Sequence, residues 1–142
     1  MKRGFALIIG AILAGCASAQ GPAFAPKKSL LGSVIYVYRP DNTVLITYPL
    51  EGVVNVPMLV VCGNDSASLD PGGYHAFTVG PGVTSCSSLS AESSAVLRIS
   101  AEEGKSYFVK GSLGPGFYAP HPQLKLVSTD AAPTGIQQCA LE

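Results

Sequence analysis

Short runs of β-branched and aromatic residues, each followed by turn-forming residues, recur along the chain from residue 33 to residue 127. The first run, 34–38, reads Val-Ile-Tyr-Val-Tyr and is closed by Arg-Pro-Asp-Asn at 39–42. β-Branched and aromatic residues favour strands, whereas Pro, Gly, Asn and Asp favour the turns between them. No part of this region keeps a sustained helical period. The pattern therefore predicts a domain built from strands.

The spacing of the runs indicates how the strands assemble. Turn residues separate them at intervals of roughly 8–12 residues, which is typical of sandwiches and small barrels. Pro57 lies within the third run and places the start of that strand at an edge or a break. We predict an all-β fold, an antiparallel β-sandwich of immunoglobulin-like or transthyretin-like type, with a short C-terminal helix of one or two turns over 134–141. The predicted strands are 34–38, 43–48, 53–62, 66–70, 74–79, 83–87, 95–100, 106–111 and 123–127.

The beginning of the chain follows a different pattern. A basic start at residues 1–3 precedes an apolar run over 5–14, which is too short for a membrane-spanning helix, since such a helix needs roughly 20 residues. A segment of this kind is typical of an export signal. It ends in Leu-Ala-Gly-Cys at 13–16, which resembles the bacterial lipobox, where a signal peptidase cuts before the cysteine and the thiol receives a diacylglycerol.

The lipobox predicts the domain organisation. We expect residues 1–15 to be a lipoprotein signal peptide, residues 16–31 to be the lipidated Cys16 with a flexible tether, and residues 32–142 to be the β-sandwich domain. Acyl chains such as palmitate would anchor the protein to a membrane, since each buried CH₂ contributes about 0.8 kcal/mol. Alanine, not aspartate, follows Cys16, which resembles the pattern sent to the outer membrane, facing the periplasm. The alternative is an Ala-x-Ala site at 17–19 that releases a soluble protein.

Charge and side-chain chemistry exclude several classes of function. Charged residues make up 13% of the chain and the formal net charge is zero, so no basic surface for nucleic acid is expected. The two histidines, His75 and His121, show no metal-ligand spacing. We expect His75 on the outer face of its strand and His121 as a solvated turn residue. No nucleophile, base and orienting group stand out together. We therefore expect a protein that is not an enzyme, with no metal and no cofactor.

Three cysteines remain once Cys16 carries lipid. An exported protein meets an oxidising compartment, where one disulfide and one leftover thiol are expected. We favour Cys62 with Cys86, because both end strands that a hairpin over 74–79 would bring together. Pairing of either one with Cys139 stays open. The leftover thiol is expected to behave as a small buried hydrophobe.

Arg39, Tyr36 and Tyr38 are the candidate binding residues. Arg39 follows an apolar strand and precedes Pro40, so its stem would lie along the sheet while its guanidinium ties down backbone carbonyls or a carboxylate. An exposed contact to an anion or a glycan is the alternative. Tyrosines such as Tyr36 and Tyr38 would line a carbohydrate-binding face or, as is more common, sit at the edge of the core with hydrated hydroxyls.

The order of these pieces resembles a family of small bacterial lipoproteins that is known only as a domain of unknown function. The likeness covers about 33–141 and departs from the family pattern over 42–56 and in the cysteines. It implies a compact β-sandwich on a lipid anchor and carries no catalytic residues. The matching pieces are Tyr-Val-Tyr-Arg-Pro at 36–40, 59–65, 69–74, 79–82, the Glu-x-Gly-Lys-x-Tyr-Phe segment at 102–108, Gly116-Phe117 and 122–124.

Taken together, these features predict a structural or protein-interaction module of the cell envelope. It would be held on the membrane by its lipid and would bind an envelope protein through a sheet edge or a loop. The alternative is a module that binds glycan or peptidoglycan fragments. Exposed tyrosines around a concave surface would favour the glycan alternative, whereas a flat apolar patch would favour the protein-interaction module.

Overall fold

A computed structural model describes residues 21–26, 31–40, 44–46, 52–54 and 56–141, with the backbone alone for 44–46 and 52–54. The expected signal peptide, Cys16 and residues 17–20 lie outside these ranges. The elements in chain order are β1 (Ser33–Tyr38), β2 (Val44–Ile46), β3 (Gly52–Val54), β4 (Met58–Cys62), β5 (Asp65–Leu69), β6 (Gly73–Val79), β7 (Gly82–Leu89), β8 (Ser94–Ala101), β9 (Ser106–Gly114), β10 (His121–Thr129), α1 (Thr134–Gln137) and β11 (Ala140–Leu141).

The strands form two main sheets, which confirms the predicted all-β sandwich with a short C-terminal helix. One sheet has five strands in the order β10-β9-β1-β6-β11, and the other has four in the order β5-β4-β7-β8. Strands β2 and β3 form a separate hairpin. Most neighbours are antiparallel as expected, but β1 pairs with β9 in parallel, and β11 pairs with β6 in parallel. The predicted run 53–62 divides into β3 and β4, and β4 begins directly after Pro57.

The main core lies between the two sheets. Alternating residues of β4 are buried and exposed, as a strand with one face on a core requires. Burying these side chains is the main favourable term in folding such a domain. The buried members of this core are Ile35, Val37, Met58, Val60, Cys62, Leu69, Phe77, Val79, Cys86, Ile99, Ala101, Tyr107, Val109 and Leu113.

The outer face of the five-stranded sheet is covered over its central strand, so β1 is buried on both sides. A second core lies on this outer side of the sheet and contains Val34, Tyr36, Tyr38, Tyr74, Phe108, Ile136 and Cys139. Helix α1 supplies Ile136, whose side chain is fully buried. A segment from before β1 covers a further part of this face.

That covering segment, residues 21–26, was expected to belong to a flexible tether. It is instead packed on the domain. The ring of Phe24 makes edge contacts with Tyr36 and Tyr74 at centroid distances of 5.4 and 5.3 Å. The backbone N–H of Phe24 donates to the carbonyl of Cys139 at 3.1 Å. The sequence suggested a tether because two prolines and few apolar residues favour extended chain, but the single aromatic ring finds an apolar site on the sheet.

Strand directions place the loops at two ends of the sandwich. β1 runs antiparallel to β6 and parallel to β9, so the end of β1, the start of β6 and the end of β9 lie together. We call this the Arg39 end, because Arg39 directly follows β1. It carries the β5–β6 turn, the β7–β8 loop at 90–93 and the β9–β10 loop at 115–120. The opposite end carries the turns after β4, β6 and β8.

Candidate functional site

Arg39 lies inside the domain at the Arg39 end. Its side chain is 0% exposed. One guanidinium nitrogen, Nη1, donates to the carbonyl of Val56 at 2.5 Å and to the carbonyl of Leu69 at 3.0 Å. These carbonyls belong to the segment before β4 and to the end of β5. Arg39 therefore ties both segments of the four-stranded sheet to β1, and its guanidinium does not reach solvent.

The backbone of Arg39 is fixed by the β5–β6 turn. Its N–H donates to the carbonyl of Gly73 at 2.8 Å, and its carbonyl accepts from the N–H of Gly72 at 2.9 Å. Gly72 has φ of 81°, a left-handed conformation that favours glycine, and it follows Pro71 in the turn. The Pro-Gly pair thus shapes the turn that receives Arg39.

Tyr36 and Tyr38 are buried in the second core, at 1% and 2% exposure. Tyr36 stacks on Phe108 with centroids 5.0 Å apart, and Tyr38 packs against Gly135 of α1. Burial raises the pKa of the Tyr38 hydroxyl, with a smaller contribution from Cys139. Neither ring takes part in an exposed binding face. Of the tyrosines that the structure describes, Tyr118 alone is exposed.

Cys62 and Cys86 form a disulfide, which confirms the favoured pairing. They face each other on the neighbouring strands β4 and β7. The connection between them runs through β6 of the other sheet, so the bridge does not close the simple hairpin that the sequence suggested. The remaining thiol, Cys139, is buried and donates to the carbonyl of Gly135 at 3.3 Å. Burial raises the pKa of this thiol to about 11.

Each histidine of the five-stranded sheet lies beside a carboxylate carried by the four-stranded sheet or by one of its loops. His75 on β6 lies 3.5 Å from Asp65 on β5, measured from Nε2 to Oδ2. It was expected on the outer face of its strand, but its ring contacts that of Phe77 at 4.7 Å and lies on the side of the main core. His121, expected to be a solvated turn residue, begins β10, and its Nε2 lies 3.1 Å from Oε1 of Glu92. The two histidines thus link the sheets.

The carboxylate of Glu92 accepts several hydrogen bonds from backbone N–H groups. It lies in the β7–β8 loop and accepts three consecutive backbone N–H groups from the β9–β10 loop. Phe117 donates to Oε1 at 3.0 Å, while Tyr118 and Ala119 donate to Oε2 at 3.0 and 2.9 Å. The N–H of Phe117 makes the largest contribution to lowering the pKa of Glu92, which falls to about 2 with help from the other two amides and His121. Glu92 therefore joins two loops at the Arg39 end.

We expect Glu92→Gln to destabilise the protein at neutral pH and to have little effect near pH 2. A carboxyl whose pKa is lowered on folding stabilises the folded state above its ordinary pKa of 4.5. That stabilisation is lost as the pH falls from about 4.5 through about 2. Thermal unfolding of wild type and Glu92→Gln, followed from neutral pH down to about pH 2, measures the difference in stability between them. Glu103→Gln, in the exposed β8–β9 turn, is the matched control, and a difference that stays constant with pH would contradict the assignment.

The outer face of the four-stranded sheet is exposed and almost without charge. One row crosses all four strands, because Val61 pairs with Ser66 and Ser87, and Ser87 pairs with Val96. Beside this row lie the pairs Leu59–Ser68 and Leu89–Ser94. Leu59, Leu89 and Val96 are 51%, 73% and 66% exposed. Arg98 is the one charged side chain at the outward positions of β4, β7 and β8. We call these outward side chains the serine–aliphatic face.

An open depression lies at the opposite end of the sandwich. Its volume is about 540 Å³, and it lies between the turns that follow β4 and β6. Polar groups on its walls include Asn64, Asp65, Thr78 and Thr84. The Cys62–Cys86 disulfide braces one wall, and the N–H of Gly63 donates to Ser85 at 3.2 Å. The depression offers hydroxyl, amide and carboxylate groups to a polar ligand.

Sequence reasoning missed Glu92, Phe24 and the serine–aliphatic face. Glu92 carries no local signal, because its partners lie 25 or more residues further along the chain. Phe24 was an aromatic residue within an apparent linker, which is a signal for packing. The serine–aliphatic face was the easiest to find. Val and Leu occupy positions 83, 89 and 96, and serine occupies other outward positions of the same strands.

Within the described ranges, no helix is long and apolar enough to cross a membrane. Those same ranges contain no group of three or more His, Cys, Asp or Glu side chains placed to hold a metal ion.

Comparisons with known proteins add no relative. No family model matches the chain, and neither a curated protein nor a solved structure matches it significantly.

Proposed function

We propose that this chain is a lipid-anchored, non-catalytic lipoprotein of the bacterial cell envelope that binds another envelope protein. The observation that carries the proposal is the serine–aliphatic face. It is the outer side of a sheet, and it exposes Leu59, Leu89 and Val96 side by side with serine hydroxyls. Contiguous exposed apolar side chains of this kind mark protein contacts. The partner surface would be equally apolar and low in charge.

The free thiol supports a role without catalysis. Both histidines lie beside carboxylates, Asp65 and Glu92, that are carried by the four-stranded sheet or its loops. The free thiol of Cys139 is buried, and its pKa of about 11 leaves it protonated at neutral pH. A thiol nucleophile requires the thiolate. These groups are therefore used to hold the sandwich together, in keeping with a binding or structural role.

The lipid anchor is supported by the lipobox at 13–16 and by an apolar run that ends directly on it. It predicts an outer-membrane protein that faces the periplasm. Palmitate labelling tests this part of the proposal. We expect the wild type to take up label and Cys16→Ser to take up none. Labelling that persists in Cys16→Ser, or a wild type without label, would rule out the anchor.

Site-specific photocrosslinking in cells tests the partner. A photoreactive residue at Val96 lies on the serine–aliphatic face, and one at Lys125 lies exposed on β10 of the other sheet. We expect a discrete protein adduct from position 96 and none from position 125, with mass spectrometry to identify the captured protein. Equal adducts from both positions, or glycan strands captured in place of protein, would overturn the proposal.

Binding of glycan or peptidoglycan fragments is the second candidate. The open depression favours it, because Asn64, Asp65, Thr78 and Thr84 together offer the hydrogen-bonding groups that sugar hydroxyls require. Sugar-binding faces often add an exposed aromatic ring, and the depression has none on its walls. The serine–aliphatic face therefore supports protein binding more strongly.

A further inference from the structure

The β9–β10 loop at 115–120 presents two aromatic side chains at the Arg39 end. Phe117 is 58% exposed and Tyr118 is 52% exposed, and their ring centroids lie 6.3 Å apart. Leu89, which ends β7 beside the loop of Glu92, is 73% exposed. Aromatic rings grouped at the surface in this way indicate a contact with something apolar.

The backbone of this loop is held in one conformation. Glu92 accepts the N–H groups of Phe117, Tyr118 and Ala119. A side chain at Gly116 would bring its Cβ within 1.7 Å of the Ala119 carbonyl oxygen, so only glycine fits there. The loop therefore keeps both rings at the surface without support from a ligand. A contact that is ordered in advance loses less conformational entropy on binding.

The segment that leads back to Cys16 lies at the same end. Ala23 pairs with Ala140, and Ala140 pairs with Gly73, the first residue of β6. Gly21 lies so close to Leu141 that a Cβ there would meet the Leu141 carbonyl oxygen at 1.8 Å. Only the five residue steps from Gly21 back to Cys16 are left as a spacer, and they span at most about 18 Å. A lipid on Cys16 would therefore keep the β11 edge of the five-stranded sheet, near the Arg39 end, close to the bilayer.

We propose that the β9–β10 loop contacts the lipid surface that carries the anchor, with Phe117 and Tyr118 seated at the boundary between headgroups and acyl chains. This inference rests on the lipid at Cys16 proposed above. Aromatic side chains with an apolar body and a polar tip, such as tyrosine, are enriched at this boundary. Residues 114–120 contain no charged side chain, and the Glu92 carboxylate is turned onto backbone N–H groups. The loop therefore enters the boundary without desolvating an unpaired charge.

A tryptophan reporter tests the contact, because the chain contains no tryptophan of its own. The acylated chain carrying Phe117→Trp, and separately Tyr118→Trp, is reconstituted into phosphatidylethanolamine–phosphatidylglycerol vesicles with brominated acyl chains. We expect a blue-shifted emission and a loss of about half of it to quenching, since interfacial side chains lie roughly 5–10 Å below the headgroup boundary. Val83→Trp is the matched control, because Val83 is 72% exposed at the opposite end. Its emission should stay unquenched.

The outcomes separate this inference from the proposed anchor. Protein that sediments with the vesicles but shows no quenching at positions 117 and 118 overturns the loop contact and leaves the anchor intact. Equal quenching at position 83 also overturns it, because the domain would then have no preferred orientation. Protein that does not sediment with vesicles overturns the anchor and the loop contact together. A change in emission on adding peptidoglycan fragments, without quenching by lipid, assigns the two rings to glycan binding.

Discussion

Replacing Arg39 with methionine is expected to lower the free energy of unfolding by about 3–5 kcal/mol, because two hydrogen bonds from a buried charged donor are lost. Without this donor the Leu69 carbonyl would remain buried and the Val56 carbonyl partly buried. Methionine keeps most of the aliphatic stem, so the cavity that it leaves is small. Denaturant unfolding of the two proteins measures the loss, which is a large fraction of the total stability of a domain of this size.

The matched control for this substitution is Arg98→Met. Arg98 lies exposed on β8, and surface changes of this kind usually alter stability by less than about 0.5 kcal/mol. The contrast between the two arginines isolates the effect of burial from the effect of removing a positive charge. Equal unfolding midpoints for wild type and Arg39→Met would show that the guanidinium does not hold the two segments together.

Removal of the disulfide by the double substitution Cys62→Ala and Cys86→Ala is expected to lower stability by about 3 kcal/mol. The bridge joins residues separated by 24 positions, and cross-linking a loop of this size reduces the chain entropy of the unfolded state by that amount in the loop-closure model. Unfolding of the wild type under reducing conditions should show a loss of the same size. Peptide mapping without reduction checks that the bridge joins these two residues.

Cys139→Ala serves as the control for the disulfide, because it removes a buried thiol and leaves the bridge in place. We expect its effect to be about 1 kcal/mol or less, since only one sulfur atom leaves the core. The Cys139 thiol should also resist alkylation until the protein unfolds. A loss of stability as large as that of the double variant, or mapping that finds Cys139 in the bridge, would refute the pairing.

Much of the fold was predictable because the strands alternate and their turns carry clear signals. The run 34–38, for example, appears as β1 with nearly the same bounds. Partner choice was not predictable in the same way. β1 pairs in parallel with β9, and nothing within either strand specifies that register. The two-residue strand β11 was missed because it forms only where the chain after α1 returns to β6.

The chemistry of the site was less predictable than the fold. The Cys62–Cys86 pairing follows from strand ends, but Arg39 could have faced inward or outward on the sequence alone. Its orientation depends on the carbonyls of Val56 and Leu69, which lie far along the chain. The same holds for Glu92, whose carboxylate is fixed by amides of a distant loop. Such contacts are tertiary, and the local sequence does not encode them.

The central position of β1 constrains the order in which the protein folds. Val34 pairs with Thr78 on β6 and with Ser106 on β9. The first strand to be synthesised therefore cannot complete its pairing until one of the last strands is available. Contacts between residues so far apart form slowly, because a long loop must close first. A chain that has emerged only as far as residue 105 leaves one edge of β1 without its partner strand. Such an edge readily pairs with another chain, so we expect aggregation to compete with folding until the final quarter of the chain is free.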